Sequence, residues 1–138
     1  MIDHGAGSRP AVVLIVEDEW LLRELAVEAV EDAGFIALVA GDAEEAVALL
    51  EARSDVAVLF TDINLPGRMD GLELAHTVRH RWSPIKILVA SGRMRPKPSD
   101  LPPNSVFLEK PYRGEVVISR LHSLIGPAQA LIESDIHA

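Results

Sequence analysis

Short apolar runs that end abruptly in charged residues constrain the fold of this chain more than any other feature. The runs and the charged residues after them are 12–16 with Glu17 and Asp18, 56–61 with Asp62, and 106–108 with Glu109 and Lys110. Each run has the length of a β-strand, and continuous apolar sequence is typical of strands buried on both faces of a parallel sheet. Ligands bind open α/β sheets just beyond the carboxyl ends of the strands. The sequence therefore predicts that these charged side chains converge on one crevice.

Amphipathic segments of helical length alternate with such runs. The predicted strands are Ala11–Val16, Phe35–Ala40, Val56–Thr61, Ile85–Ala90 and Val106–Leu108, and the predicted helices are Trp20–Ala33, a segment capped by Asp42, Leu72–Arg81 and Gly114–Ile125. Because strands that alternate with helices pair in parallel through right-handed crossovers, the order predicts an α/β fold with a doubly wound five-stranded parallel sheet in three layers. On the first helix, Leu25 is expected to face the core, and Trp20 and Trp82 are expected to be partly buried.

The segment between the fourth and fifth predicted strands departs from this alternation. Residues 92–104 contain four prolines, at positions 96, 98, 102 and 103. Proline removes a backbone donor and clashes with the preceding turn, which costs about 3 kcal/mol inside a helix. We therefore expect the fourth helix to be short or absent, with at most one helical turn near residues 99–101.

The composition limits the classes of function that this chain can have. It has 138 residues, a formal net charge of −8 and no cysteine. An acidic surface repels nucleic acids and anionic membranes, and the lack of cysteine excludes disulfides and thiolate metal sites. We expect a flexible leader over 1–10, one domain over 11–125 and a tail over 126–138. No apolar stretch has the length of a membrane span or the features of a signal peptide, which favours a cytoplasmic location.

The charged residues at the predicted strand ends have a defined chemistry. Crowded carboxylates such as Glu17, Asp18 and Asp62 repel one another unless a cation neutralises them. Mg²⁺ is the expected cation, because it prefers oxygen ligands and commonly binds beside phosphates. Asp62 is a candidate nucleophile toward phosphorus, with the Lys110 ammonium and the Ser91 hydroxyl directed to the same crevice.

Four motifs, taken in order, resemble those of the receiver domains of bacterial response regulators of the chemotaxis-regulator type. They are IVEDE at 15–19, TDINLPGRMDGLEL at 61–74, ASG at 90–92 and FLEKPY at 107–112. The resemblance covers residues 11–125 and implies a flavodoxin-like sandwich. It also implies a stand-alone receiver of a two-component phosphorelay. Asp62 would then accept phosphate from a histidine kinase or a histidine phosphotransfer protein, and the chain would signal to an unidentified downstream protein.

The resemblance also implies a metal site. Asp18 and Asp62 would bind Mg²⁺ directly, together with the backbone carbonyl of Asn64. Glu17 stands where the family often has aspartate, and it would contribute through a water molecule.

A phosphoryl site and a conformational switch are implied in the same way. Ser91 and Lys110 would contact the phosphoryl oxygens, and Phe107 would be the switch aromatic that turns inward when Ser91 moves toward the phosphate. Two features depart from the family. Arg68 lengthens the loop before the third helix, and the prolines of 92–104 stand where the family has its fourth helix, which forms part of its output surface.

Two other functions stay open at this point. A phosphoaspartyl hydrolase of the haloacid dehalogenase type also attacks phosphate with an aspartate, although that family carries it on the first strand as Asp-x-Asp. A phosphorylation-independent interaction module with a vestigial pocket is the other. We expect no enzymatic activity apart from slow self-dephosphorylation. The five histidines lack metal-ligand spacing and are expected to face solvent, including His76 and His80 on one helix face.

Overall fold

Five parallel strands form the centre of the structure, a computed structural model that describes residues 10–92 and 95–126. The strands are Val12–Val16 (β1), Ile36–Ala40 (β2), Val56–Asp62 (β3), Lys86–Ser91 (β4) and Val106–Glu109 (β5). Their order across the sheet is β2-β1-β3-β4-β5, and every neighbouring pair is parallel. The expected doubly wound five-stranded sheet is therefore confirmed. The expected leader and tail, except Pro10 and Gly126, lie outside the described residues.

Four α-helices cover the two faces of the sheet. They are Trp20–Asp32 (α1), Ala43–Ala52 (α2), Gly71–Arg81 (α3) and Gly114–Ile125 (α4). The expected cap of α2 is present, since the Asp42 carboxylate accepts the Glu45 N–H at 2.8 Å. Among the described residues, no helix has the length and apolar character needed to cross a bilayer.

The sheet separates two apolar layers. Alternate residues of β1 point to opposite faces, so Leu14 packs with α2 and α3, whereas Val13 and Ile15 pack with α1 and α4. All five residues of β1 are buried. This explains the continuous apolar runs, because a central parallel strand has no face in contact with water.

The prolines of the β4–β5 connection exclude a regular helix, as expected. Its only helical turn in the described residues is a 3₁₀ turn at Pro98–Asp100. The Asp100 carboxylate accepts the Lys97 N–H at 2.9 Å, which caps the start of this turn. After it, Leu101 packs against the core and Pro102 is buried. The prediction of at most one turn near 99–101 is confirmed.

Two expectations about side chains are wrong. Trp20 is 66% exposed and Leu25 is 49% exposed, because α1 packs through a stripe of smaller residues, Ala26, Ala29 and Val30. Trp20 is the first residue of α1 and Leu25 lies beside that stripe. Trp82 is partly buried, as expected.

Two histidines make hydrogen bonds to backbone carbonyls: His76 is exposed, as expected, whereas His122, also expected to face solvent, is partly buried. Nε2 of His76 lies 2.7 Å from the carbonyl oxygen of Asp100, and Nε2 of His122 lies 3.1 Å from that of Ala33. Because a carbonyl oxygen only accepts, Nε2 is the donor in both bonds. The His76 bond joins α3 to the proline-rich connection.

Candidate functional site

Two consecutive acids leave the end of β1 in different environments. Glu17 is only 3% exposed, and its backbone N–H donates to the Ala40 carbonyl of the neighbouring strand. One oxygen of its carboxylate accepts the Glu19 N–H at 3.1 Å. Asp18 is exposed. The strand end therefore offers one fixed, buried carboxylate and one accessible carboxylate.

Asp62 is the last residue of β3 and is also buried. The Thr61 hydroxyl donates to the Asp62 carbonyl at 2.9 Å, and the Ile63 N–H that follows donates to the Ala90 carbonyl of β4. The chain then turns into α3, where the Gly71 N–H donates to the Ile63 carbonyl at 2.7 Å. Hydrogen bonds on both sides thus fix the backbone that carries the Asp62 carboxylate.

Lys110 connects the two buried carboxylates. Its backbone N–H donates to the Ser91 carbonyl at 3.0 Å, which extends the β4–β5 ladder by one residue. Its Nζ lies 3.2 Å from Oε1 of Glu17 and 3.1 Å from Oδ2 of Asp62. The peptide bond between Lys110 and Pro111 is cis. Three separate strand ends therefore supply one ion-pair network, as the sequence predicted.

The network carries more negative than positive charge. Burial raises the pKa of Glu17, and the nearby Asp62 charge adds to that effect. Burial acts to lower the pKa of Lys110, but the charges and hydrogen bonds of Asp62 and Glu17 outweigh it and raise the pKa overall. The lysine is thus a firmly protonated cation between two buried carboxylates, with the exposed Asp18 carboxylate nearby as a third negative charge.

A metal ion fits this arrangement. Ligand oxygens of Glu17, Asp18 and Asp62 all lie within 4.8 Å of one another, the one such group of potential ligands in the described ranges. Hard oxygen donors of this kind suit Mg²⁺, which commonly takes one or two carboxylates and keeps several waters. Receiver domains, the family that the motifs resemble, bind Mg²⁺ at an acidic pocket.

The carboxylates open into a cleft of about 650 Å³ at the carboxyl end of the sheet. Its walls are formed by Asp18, Glu19, Leu22, Asp62, Asn64, Gly92 and Lys110. Asn64 is exposed and lies in the wall of the cleft. The position is the one expected for a ligand of an open α/β sheet.

Neither Ser91 nor Phe107 lies in the wall of this cleft. Ser91 is 1% exposed, and its Oγ makes no hydrogen bond within residues 10–92 and 95–126. Phe107 is half-buried and packs against the apolar layer under α2 and α3. A buried hydroxyl without a partner is unusual, since such groups are nearly always paired. The switch role expected for the two residues stays a prediction.

Sequence reasoning missed Gly71. A Cβ built at this position would lie 1.8 Å from the Asp62 carbonyl oxygen, so no larger residue fits beside the Asp62 backbone. In the sequence, Asp70-Gly71 has the pattern of a turn and gives no sign of this contact. Asp70 in fact caps α3, where its side chain and that of Glu73 form a reciprocal capping box.

Tyr112 was also missed, although it belongs to the FLEKPY motif. Its ring lies 5.7 Å from that of Phe60 and is tilted against it by 50°. Burial and the charges of Glu17 and Asp62 raise the pKa of its hydroxyl. Tyr112 therefore stays neutral and packs against the apolar layer under α1 and α4.

Comparison with known proteins identifies the family. Residues 13–99 match the model of the response regulator receiver domain, which is more than half of the chain. The match includes Glu17, Asp18, Asp62 and Ser91 and ends before Lys110. The position of Lys110 in the site therefore rests on the structure.

Two curated relatives are response regulators or transcriptional regulators. The two-component response regulator PhoP of Pseudomonas aeruginosa is 34% identical over 130 residues, which cover 91% of this chain and 56% of that protein. The probable transcriptional regulatory protein TcrX of Mycobacterium tuberculosis is 32% identical, with 87% of this chain and 52% of that protein covered. The chain thus spans about half the length of these relatives.

Solved structures share the fold. The receiver domain of NtrX from Brucella abortus is 27% identical, with a TM-score of 0.75 over 82% of this chain and 97% of that one. The chemotaxis protein CheY4 of Vibrio cholerae is 25% identical, with a TM-score of 0.73 over 84% and 99% of the two chains. The chain belongs to the response regulator receiver domain family, whose members are the phosphoacceptors of two-component signalling.

Proposed function

We propose that Asp62 is the phosphoacceptor of this receiver domain, which spans residues 11–125. The phosphoryl donor would be the phosphohistidine of a histidine kinase or of a histidine phosphotransfer protein, and the signal would leave through a protein contact in the cytoplasm. One observation carries the proposal: the Asp62 carboxylate lies in the wall of an acidic cleft, 3.1 Å from the Lys110 ammonium.

The transfer needs positioning and charge neutralisation rather than acid–base machinery. A carboxylate oxygen of Asp62 attacks phosphorus, and the new O–P bond forms as the N–P bond of the phosphohistidine breaks. The electron pair of the broken bond returns to the imidazole nitrogen. Lys110 is close enough to move its ion pair from the Asp62 carboxylate to a phosphoryl oxygen, while Glu17 continues to hold its Nζ.

Mg²⁺ fits the donor set of the cleft. Asp18 and Asp62 would hold it directly with the Asn64 carbonyl, and the buried Glu17 would hold one of its waters. A bound Mg²⁺ supplies positive charge to the phosphoryl oxygens. Three carboxylates with a single lysine leave a net negative cleft, and this supports a cation there.

Ser91 and Phe107 would report the phosphorylated state. The Ser91 hydroxyl lacks a partner in the described structure and would gain one in a phosphoryl oxygen. Phe107 lies in β5, the neighbour of the strand that carries Ser91, and its side chain would pack inward after Ser91 moves. Because the Phe107 side chain is only half-buried now, an inward rotation would bury more of its surface.

The chain would act as a signalling phosphoacceptor, with slow self-dephosphorylation as its only turnover. The candidate nucleophile lies at the end of β3, whereas haloacid dehalogenases carry theirs on the first strand. The receiver-family match leaves that alternative without support. A vestigial interaction module is disfavoured because every acid and the lysine lie in the cleft network.

Mass spectrometry tests the nucleophile. Incubation with a small phosphodonor such as acetyl phosphate and Mg²⁺ should add one phosphoryl group to the intact protein. Asp62→Asn should prevent the mass shift, because an amide is a poor nucleophile. Asp32→Asn removes an exposed acid at the end of α1 and should leave the shift unchanged. Equal phosphorylation of the Asp62→Asn variant would assign the acceptor elsewhere.

Thermal unfolding tests the metal site. Millimolar Mg²⁺ should raise the Tm of the wild-type protein, because an ion that binds only the folded state stabilises it. Asp18→Ala should abolish that increase, while Asp32→Ala should retain it. A Tm that does not respond to Mg²⁺ in the wild type would argue against a metal site in this cleft.

A further inference from the structure

The outer edge of β5 has free backbone hydrogen-bonding groups. The Lys110 N–H donates to Ser91 of β4, so backbone groups at every second residue, including Leu108, point toward β4. Phe107 and Glu109 then direct their N–H and C=O groups away from the sheet. β5 is the last strand of the sheet, and no described strand pairs with this side. Such an edge is a template for an added strand.

Arginines line the same edge. A groove of about 500 Å³ runs along β5 and α4, with Arg95, Arg113 and Arg120 in its walls. Arg113, Val116 and Arg120 follow one another at intervals of three and four residues, so they lie on one face at the start of α4. Phe107 and Val116 add apolar surface to the groove.

The charge of the groove is opposite to that of the whole chain. Three arginines line it, and Glu109 is its only acid in the described residues, whereas the chain carries a net charge of −8. Arg95 forms an ion pair with Glu109, and its charge and hydrogen bond lower the pKa of that carboxyl. Within the described part of the chain, Arg113 and Arg120 make no ion pair. Both side chains are exposed and available to a ligand.

We infer that the groove binds an extended acidic segment of a partner protein, which adds to β5 as a sixth strand. The free backbone groups of Phe107 and Glu109 would form the ladder, and carboxylates of the segment would pair with Arg113 and Arg120. An extended segment is favoured over a helix because only a strand can use the open backbone edge. Charge-assisted hydrogen bonds to arginine would select acidic segments.

This inference goes beyond the phosphoacceptor function and does not depend on it. In the described residues, no side chain of the groove forms a hydrogen bond or an ion pair with Asp62 or with the proposed Mg²⁺ ligands. Binding of the segment can therefore be measured on the Asp62→Asn variant. Loss of phosphorylation and loss of segment binding would be separate results.

The probe for the test is a labelled synthetic peptide in which glutamate alternates with valine and threonine. Fluorescence anisotropy with the full chain should show saturable binding that weakens as salt is added. Arg113→Glu and Arg120→Glu should each weaken binding by about tenfold, the loss expected for one charge-assisted hydrogen bond. Lys86→Glu is the matched control, since it reverses an exposed positive charge at the other end of β4 and should leave binding unchanged.

Two further variants of the experiment separate strand addition from simple charge attraction. Glu109→Gln removes the acid of the groove and should strengthen binding. A peptide with methylated amides on alternate residues keeps its charge but cannot form the ladder, so it should bind much more weakly. Amide exchange at Phe107 and Glu109 should slow when the unmodified peptide binds, while Ala37 and Val39 on the opposite edge strand should not change.

Several outcomes would overturn the inference. These are no binding of the acidic peptide at millimolar concentration, equal binding of the methylated peptide, and unchanged affinity of both arginine variants. Equal binding of a peptide with lysine in place of glutamate would do the same. A homodimer through β5, seen by sedimentation and blocking the peptide, or a single-stranded oligonucleotide that binds as tightly as the peptide, would replace the acidic segment as the occupant.

Discussion

Two crossovers in the same half of the sheet join neighbouring parallel strands, one through a helix and the other almost without one. The first joins β3 to β4 through α3, a helix of 11 residues with a reciprocal capping box at its start. The second joins β4 to β5 and contains, in its described residues, only a 3₁₀ turn of three residues. Each is followed by a strand that pairs in continuous parallel register with the strand before the crossover.

The difference lies in how the backbone groups and the sheet are covered. In α3 the backbone bonds are internal, and Leu74, Ala75 and Val78 are buried. In the second crossover, local side-chain bonds such as that of Asp100 replace the helix, and Leu101 covers the sheet. A parallel crossover therefore requires cover over the sheet rather than a helix.

The comparison also shows which contacts fix the position of Lys110. The β4–β5 ladder fixes its backbone through the Ser91 carbonyl, without any help from a regular helix between the strands. A chain can consequently lose that helix and still bring the lysine within 3.2 Å of both buried carboxylates.

Truncation of one leucine in each crossover should give the largest difference between the two in the free energy of unfolding. Leu74→Ala should lower the free energy of unfolding by about 3 kcal/mol, because Leu74 is fully buried and the substitution leaves a cavity. Leu101→Ala should lower it by about 1 kcal/mol, since Leu101 is only partly buried and less apolar area is lost. Urea unfolding measures both. Equal losses would mean that the second crossover packs as tightly as the helix.

Alanine in place of one glycine of each crossover, Gly71 or Gly92, should give a smaller difference in stability. Gly71→Ala places a Cβ 1.8 Å from the Asp62 carbonyl oxygen, so the backbone must shift, at a loss of about 2 kcal/mol. Gly92→Ala places its Cβ 3.2 Å from Cβ of Lys110, a contact that a small adjustment relieves, at a loss below about 1 kcal/mol.

The glycine pair has a functional readout besides urea unfolding. Because Gly71→Ala displaces the Asp62 backbone, phosphorylation by a small donor should fall more steeply than in Gly92→Ala. A Gly71→Ala variant with wild-type stability and phosphorylation would show that the Asp62–Gly71 contact relaxes without consequence.

Local pattern was enough to predict the elements and the convergence of the charged strand ends. Continuous apolar runs identified the strands, the prolines excluded a helix, and strand-end acids with Lys110 converged as expected because parallel strands share one carboxyl edge. Each of these inferences depends only on neighbours in sequence and on the rules of parallel sheets.

Contacts between distant residues were not predictable in this way. The exposure of Trp20 depends on how α1 is rotated on the sheet, and the restriction at Gly71 depends on how closely α3 approaches β3. The bond from His76 joins residues 24 positions apart. Periodicity places a histidine on a helix face but does not say which carbonyl the packing brings to it.

That histidine bond directly links the two crossovers, and its removal should have the smallest effect on stability. His76→Ala removes the donor to the Asp100 carbonyl and should lower the free energy of unfolding by about 0.5–1 kcal/mol, the net value of one hydrogen bond. Amide exchange should accelerate at Asp100 and Leu101, whose N–H groups close the 3₁₀ turn, while α3 stays protected. His80→Ala, an exposed position one turn further along α3, is the control and should change neither. If exchange in the turn is the same in both variants, the second crossover keeps its shape through its own prolines and Asp100, and α3 contributes nothing to it.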